Sequence, residues 1–152
     1  DVLKNMGCEI IYDDEIIVKG PEGGALKGIT VSMSDFSDQA LTLAAIAPFC
    51  DSPVEITGIG HIRKQESDRI SVIKNELEKI GIKVEEGETS VKIYPGNITG
   101  GVVNTYNDHR VAMSFTLTGL RTGNITIENP LCCKKTFENY FEIIKNIKLS
   151  EI

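Results

Sequence analysis

The sequence predicts an α/β fold built from two copies of one unit, on three observations. Short β-rich runs alternate with helix-period segments along the whole chain. Two segments, 38–49 and 111–120, are apolar nearly all round, which is the mark of helices buried between layers. The chain also repeats itself. A shift of about 70 brings Asp38 onto Asp108, Val54 and Ile56 onto Ile125 and Ile127, and Lys64-Gln65 onto Lys134-Lys135. A shift of about 74 brings Met6-Gly7 onto Ile80-Gly81, with a hairpin following each. The unit reads hairpin, strand, helix, strand, helix, and the copies are expected over 8–74 and 82–147.

Each element has a local reason. Residues 1–6 read as the end of a helix closed by Gly7. Residues 8–12 and 15–19 are β-rich around Asp13-Asp14, a hairpin. A glycine-rich loop over 20–28 leads to a strand at 29–33 and then to the apolar helix from Asp38. Ser52-Pro53 ends that connection before a strand at 54–57. Ile70, Ile73, Leu77 and Ile80 recur every three or four residues, which predicts an amphipathic helix over 66–80 stopped by Gly81. A second hairpin (82–85 and 90–94), a strand at 102–104, a helix from Asp108 and a strand at 124–127 repeat the order. Phe137, Tyr140, Phe141, Ile144 and Ile147 mark a last amphipathic helix.

The composition narrows the function. A length of 152 residues, 41% of them apolar, supports a real core. A net charge of −6 without a basic tract argues against nucleic acid. No apolar run is long enough to span a membrane. Four cysteines without zinc spacing predict reduced thiols in a cytoplasmic protein that holds no metal. The chain opens at Asp1, already within a helix, and is read as a piece of a longer protein.

The polar residues of interest fall at strand-to-helix junctions, where α/β proteins bind ligands. Thr105-Tyr106-Asn107-Asp108-His109-Arg110 is the richest stretch. Asn107 or Asp108 suits an N-cap, and His109 and Arg110 then occupy a first turn that already favours an anion. Asp38 is either a cap or a base for a hydroxyl. His61 to Arg69 holds three basic residues, two acids and a histidine. Glu66 and Arg69 share a helix face if the helix starts at Glu66, as a surface salt bridge or as proton mover and anion ligand. Lys134-Lys135 before a helix suits a phosphate, or is a solvated basic turn.

Four segments together resemble the C-terminal part of the 5-enolpyruvylshikimate-3-phosphate synthase family. They are Asp38-Gln39-Ala40, Gln65-Glu66-Ser67-Asp68-Arg69, Thr105 to Arg110, and Lys135-Thr136-Phe137 followed by Tyr140-Phe141, in order over the whole chain. The resemblance implies a pseudo-threefold domain of βαβαββ units, with helices inside sheets and about two of three units present. Residues 1–152 would be part of that domain, the family's N-terminal domain being absent. It implies attack of the 5-hydroxyl of shikimate 3-phosphate on phosphoenolpyruvate, then loss of phosphate, without a cofactor.

By position, Asp38 would hold the shikimate hydroxyls and take a proton. Glu66 would protonate the phosphoenolpyruvate methylene. Arg69, Arg110 and Lys135 would clamp phosphoenolpyruvate or the inhibitor glyphosate, with His109 beside them. His109 and Lys135 join Asp38 and Glu66 as expected catalytic residues, and His61 and Gln65 fall on the shikimate side. Gln65 stands where the family usually has lysine, and His61 where some members have asparagine. An isolated chain lacking half its site is expected to be inactive and to self-associate. The alternatives are a non-catalytic anion-binding or assembly module, or a UDP-N-acetylglucosamine enolpyruvyl transferase, which lacks the Asn-Asp-His-Arg signature.

Overall fold

A computed structural model describes residues 1–147; the expected span of 1–152 runs beyond them. The chain opens with α1 (Val2–Asn5) and a hairpin of β1 (Glu9–Tyr12) and β2 (Ile16–Lys19). Next come β3 (Thr30–Ser32), α2 (Ala40–Ile46), β4 (Val54–Thr57), α3 (Arg69–Lys79), and the hairpin β5 (Val84–Glu86) and β6 (Val91–Ile93). The order then recurs with β7 (Gly101–Val103), α4 (His109–Thr122), β8 (Ile125–Ile127) and α5 (Tyr140–Asn146).

Three helix starts differ from expectation, each for a local reason. The helix expected from Glu66 begins at Arg69, because the Asp68 side chain caps it by accepting from the Ser71 N–H. Residues Gly60–Lys64 form a 3-10 helix instead. Asp38 caps nothing; it lies in the 3-10 turn Ser37–Gln39, and α2 starts after it. The last helix starts at Tyr140 rather than near Phe137, after a 3-10 stretch over Pro130–Lys135. Glycines close two helices as read: Gly7 follows α1 at φ 98° and Gly81 follows α3 at φ 95°, left-handed positions that a Cβ would strain; Gly123, not read as a stop, ends α4 at φ 71°.

The sheets reveal the repeat in space. β3–β4 and β7–β8 are parallel pairs at matching places, with Thr30 opposite Glu55 and Gly101 opposite Ile125. β6 pairs antiparallel with β4, giving a four-stranded sheet in the order β3-β4-β6-β5. This hairpin therefore completes the strand pair that precedes it in the chain, across the boundary expected between 74 and 82. Hairpin β1–β2 forms a sheet of its own.

The repeat-related helices α2 and α4 lie together at the centre, where Thr118 Oγ1 donates to the Ala45 carbonyl at 2.8 Å. Phe115, Leu41, Ile56, Ile70 and Ile73 are fully buried around them. On the hairpin, by contrast, Tyr12 and Ile16 are 71% and 70% exposed. They line an apolar groove of about 520 Å³ with Leu43 and Ile46 of α2.

Phe115→Ala should lower stability by roughly 3–5 kcal/mol, through lost burial and a central cavity. Leu131→Ala, at a 64% exposed position, should change it by less than about 0.5 kcal/mol. Urea midpoints of the two variants give the comparison.

Candidate active site

The site grows from two helix starts that face each other. Asp108 caps α4, its Oδ1 accepting from the Arg110 N–H at 2.9 Å, and is fully buried. Arg69, the first residue of α3, is 2% exposed and donates through Nε to Asp108 Oδ2 at 2.8 Å. Ser67 Oγ donates to the same oxygen at 3.0 Å. Burial pushes the Asp108 carboxyl up, but the Arg69 guanidinium and the Arg110 and Ser67 donors outweigh it and hold it below the usual carboxylate value.

The rest of the Arg69 fork gathers the neighbouring segments. Nη2 donates to Glu66 Oε2 at 2.8 Å, and Nη1 to Asp38 Oδ1 at 3.3 Å and to Gln65 Oε1. Arg110 Nη2 reaches the other Asp38 oxygen at 2.8 Å. Lys135 Nζ and His109 Nδ1 each lie 3.8 Å from Glu66 Oε1. His61 Nε2 is 2.7 Å from Ser37 Oγ, beside Asp38. Asp38, Gln65, Glu66, Arg69, Arg110, His109 and Lys135 thus meet in one cluster, and His61 stands at its edge.

Exposure divides the cluster. Lys135, Asp38, Glu66 and Arg110 present between about a third and a half of their side chains to solvent. Arg69, expected to clamp an anion, is instead enclosed by carboxylates. His109 Nδ1 is buried with no hydrogen-bond partner among the described residues. Burial lowers the His109 pKa and favours neutral imidazole, with Asp108 and Glu66 pulling the other way. Burial pushes the Cys133 thiol up to about 12, so it supplies no thiolate near neutral pH.

Some participants were not anticipated from the sequence. Residue type and spacing mark Asp108 as a cap but not as the counter-ion of Arg69, and assign no role to Ser37 or Ser67 within their motifs. Three acids and three permanent cations in one cluster suit the holding of a multiply charged anion beside carboxylates that can move protons.

The chain is similar to known proteins over nearly its whole length. The EPSP synthase (3-phosphoshikimate 1-carboxyvinyltransferase) family model matches residues 1–144. A 3-phosphoshikimate 1-carboxyvinyltransferase of Nostoc punctiforme is 48% identical over 142 residues, covering 93% of this chain and 33% of the relative. A protein of Halalkalibacterium halodurans named 3-phosphoshikimate 1-carboxyvinyltransferase 2 is 42% identical over 148 residues, covering 96% and 33%. The chain spans about a third of the length of these relatives. EPSP synthase from Acinetobacter baumannii superposes with a TM-score of 0.85 at 29% identity, covering 98% of this chain and 38% of that one. The enolpyruvyl transferase NikO from Streptomyces tendae, at 19% identity and TM-score 0.71, shares the fold over 95% of this chain and 33% of its own. The chain belongs to the EPSP synthase family.

Proposed function

We propose that this chain supplies one side of the active site of a 3-phosphoshikimate 1-carboxyvinyltransferase, with the remainder coming from the portion of the relatives that it does not span. The observation that carries the reading is the convergence of Asp38, Glu66, Arg110 and Lys135 at the facing starts of α3 and α4. In this reading Asp38 Oδ orients the 5-hydroxyl of shikimate 3-phosphate and accepts its proton as the oxygen attacks C2 of phosphoenolpyruvate. Glu66 delivers a proton to the methylene carbon, closing a tetrahedral intermediate. The C2–O bond to phosphate then breaks, the leaving phosphate takes up the proton held by Asp38, a methyl proton returns to Glu66, and the C=C bond re-forms as the enol ether of the product.

Charge accumulates on the departing phosphate, so fixed cations stabilise that step. Arg110 and Lys135 are the solvent-facing cations suited to it. Arg69 keeps Asp38 and Glu66 in place, and a ligand reaching its guanidinium would displace one of them. Gln65 and His61 stand on the shikimate side, with the Gln65 carbonyl engaged by Arg69. The exposed apolar face of hairpin β1–β2 suits the packing of further family sequence. On its own the chain should self-associate through that face, visible as a concentration-dependent mass in light scattering.

The decisive experiment replaces the matching segment of the Nostoc punctiforme relative with this chain and follows phosphate release from shikimate 3-phosphate and phosphoenolpyruvate. The chimera should turn over, whereas the isolated chain should not. A folded, soluble but inert chimera sinks the reading. Within an active chimera, Arg110→Ala should raise the phosphoenolpyruvate KM by about tenfold or more, the scale of one charge-assisted contact. Asp38→Ala should act mainly on kcat.

The isolated chain has a pH signature. The folded-state pKa of His109 lies below its unfolded value, so the unfolded chain binds more protons as pH falls through about 6.5. Stability should therefore be full above that pH and decline below it. His109→Gln should flatten the decline between pH 7.5 and 5.5, read as urea midpoints. An unchanged slope in the variant would count against a buried neutral imidazole.

A further inference from the structure

The turn that launches α4 is held in an unusual shape. Tyr106 and Asn107 take φ of 51° and 56°, left-handed values that non-glycine residues disfavour. Immediately afterwards Asp108 caps α4, and His109 and Arg110 leave its first turn. Something must over-determine this backbone for those two side chains to have fixed directions.

Glu76 meets that requirement. It lies on α3, seven residues after Arg69 and so on the same helix face, and is fully buried. Its Oε1 accepts from the Tyr106 hydroxyl at 2.8 Å, and its Oε2 from the Asn104 N–H at 2.9 Å and from Lys79 Nζ at 2.6 Å. The Asn104 side chain in turn accepts from the Tyr106 N–H at 2.9 Å. A buried carboxylate with all its donors supplied by one turn and one lysine is a rigid strut.

The other copy of the repeat lacks this device. Its turn carries Phe36 where this one has Tyr106, and the matching place of Glu76 on α1 is Val2. Phe36 takes φ −142°, so no left-handed pair forms there. Carboxylate, phenol and left-handed backbone are present together in one copy and absent together in the other.

We propose that Glu76 is a positioning residue of this site, latching the Tyr106–Asn107 turn so that His109 and Arg110 face the anion in a fixed orientation. The inference rests on the functional reading above for the identity of the anion. Glu76 touches no substrate; it acts through the turn. An amide in its place keeps the shape but turns an N–H₂ group toward donors, so the latch loosens without a cavity.

The test uses the 152-residue chain, following the His109 ring resonances by NMR and titrating phosphoenolpyruvate. Glu76→Gln should shift the His109 resonances and weaken phosphoenolpyruvate binding by about tenfold, the scale of a lost hydrogen bond to a charged group. Tyr106→Phe should move both in the same direction by less. Ile73→Val, a buried change on the same helix, should lower the urea midpoint and leave both readouts alone. If Glu76→Gln lowers stability as Ile73→Val does but leaves the His109 spectrum as in the parent, the latch is refuted. If the parent chain does not bind phosphoenolpyruvate at millimolar concentration, one side of the site is too weak to hold it alone, the chimera decides the anion assignment, and the His109 shift decides the latch. If Glu76→Gln does not fold, Tyr106→Phe decides by the same spectrum.

Discussion

The buried pair of Arg69 and Asp108 is the constraint on which the rest of the site depends. Asp108 serves two elements at once, capping α4 through Oδ1 and receiving the Arg69 Nε through Oδ2. Two charges removed from water are costly unless every lone pair and proton is occupied. Here Ser67, the Arg110 N–H, Glu66, Asp38 and Gln65 occupy them. The requirement to satisfy this pair is therefore what draws the 65–67 loop and the Asp38 turn to one place. Replacing Arg69 by alanine would leave Asp108 buried without its counter-ion, at a cost of roughly 3–5 kcal/mol.

A second tie between the same two elements runs through Glu76, two helical turns along α3. With Arg69 holding the start of α4 and Glu76 holding the turn before it, the segment 104–110 is fixed at both ends. A fixed segment presents Arg110 and His109 without reorganisation when an anion arrives, which is where preorganised electrostatics gains over water.

Much of this was legible in the sequence because it is local or periodic. The buried character of α2, the Gly7 and Gly81 stops and the Asp108 cap follow from residue type and spacing. The internal repeat sets Asp38 and Asp108 at matching junctions. Long-range competition was not legible. Asp68 took the cap of α3 and put Glu66 outside the helix, which a periodicity of apolar residues does not report. Hairpin β5–β6 joined the strands before it, a pairing that the linear order of the repeat leaves open. The burial of Arg69 was likewise hidden, since an arginine at a helix start reads as solvated until its partners are seen across 31 and 39 residues.

The charge arrangement has a consequence for ligand binding. Arg110 is already bonded to Asp38 at 2.8 Å, and Lys135 lies 3.8 Å from Glu66. An incoming anion does not meet bare cations; it competes with carboxylates for them. Binding is then an exchange, in which part of the ligand's attraction is offset by the broken internal pairs. The carboxylates that lose a partner are the two proposed to move protons. Occupancy of the anion site would therefore redistribute the partners of Asp38 and Glu66, with Arg69 left as the cation that both retain.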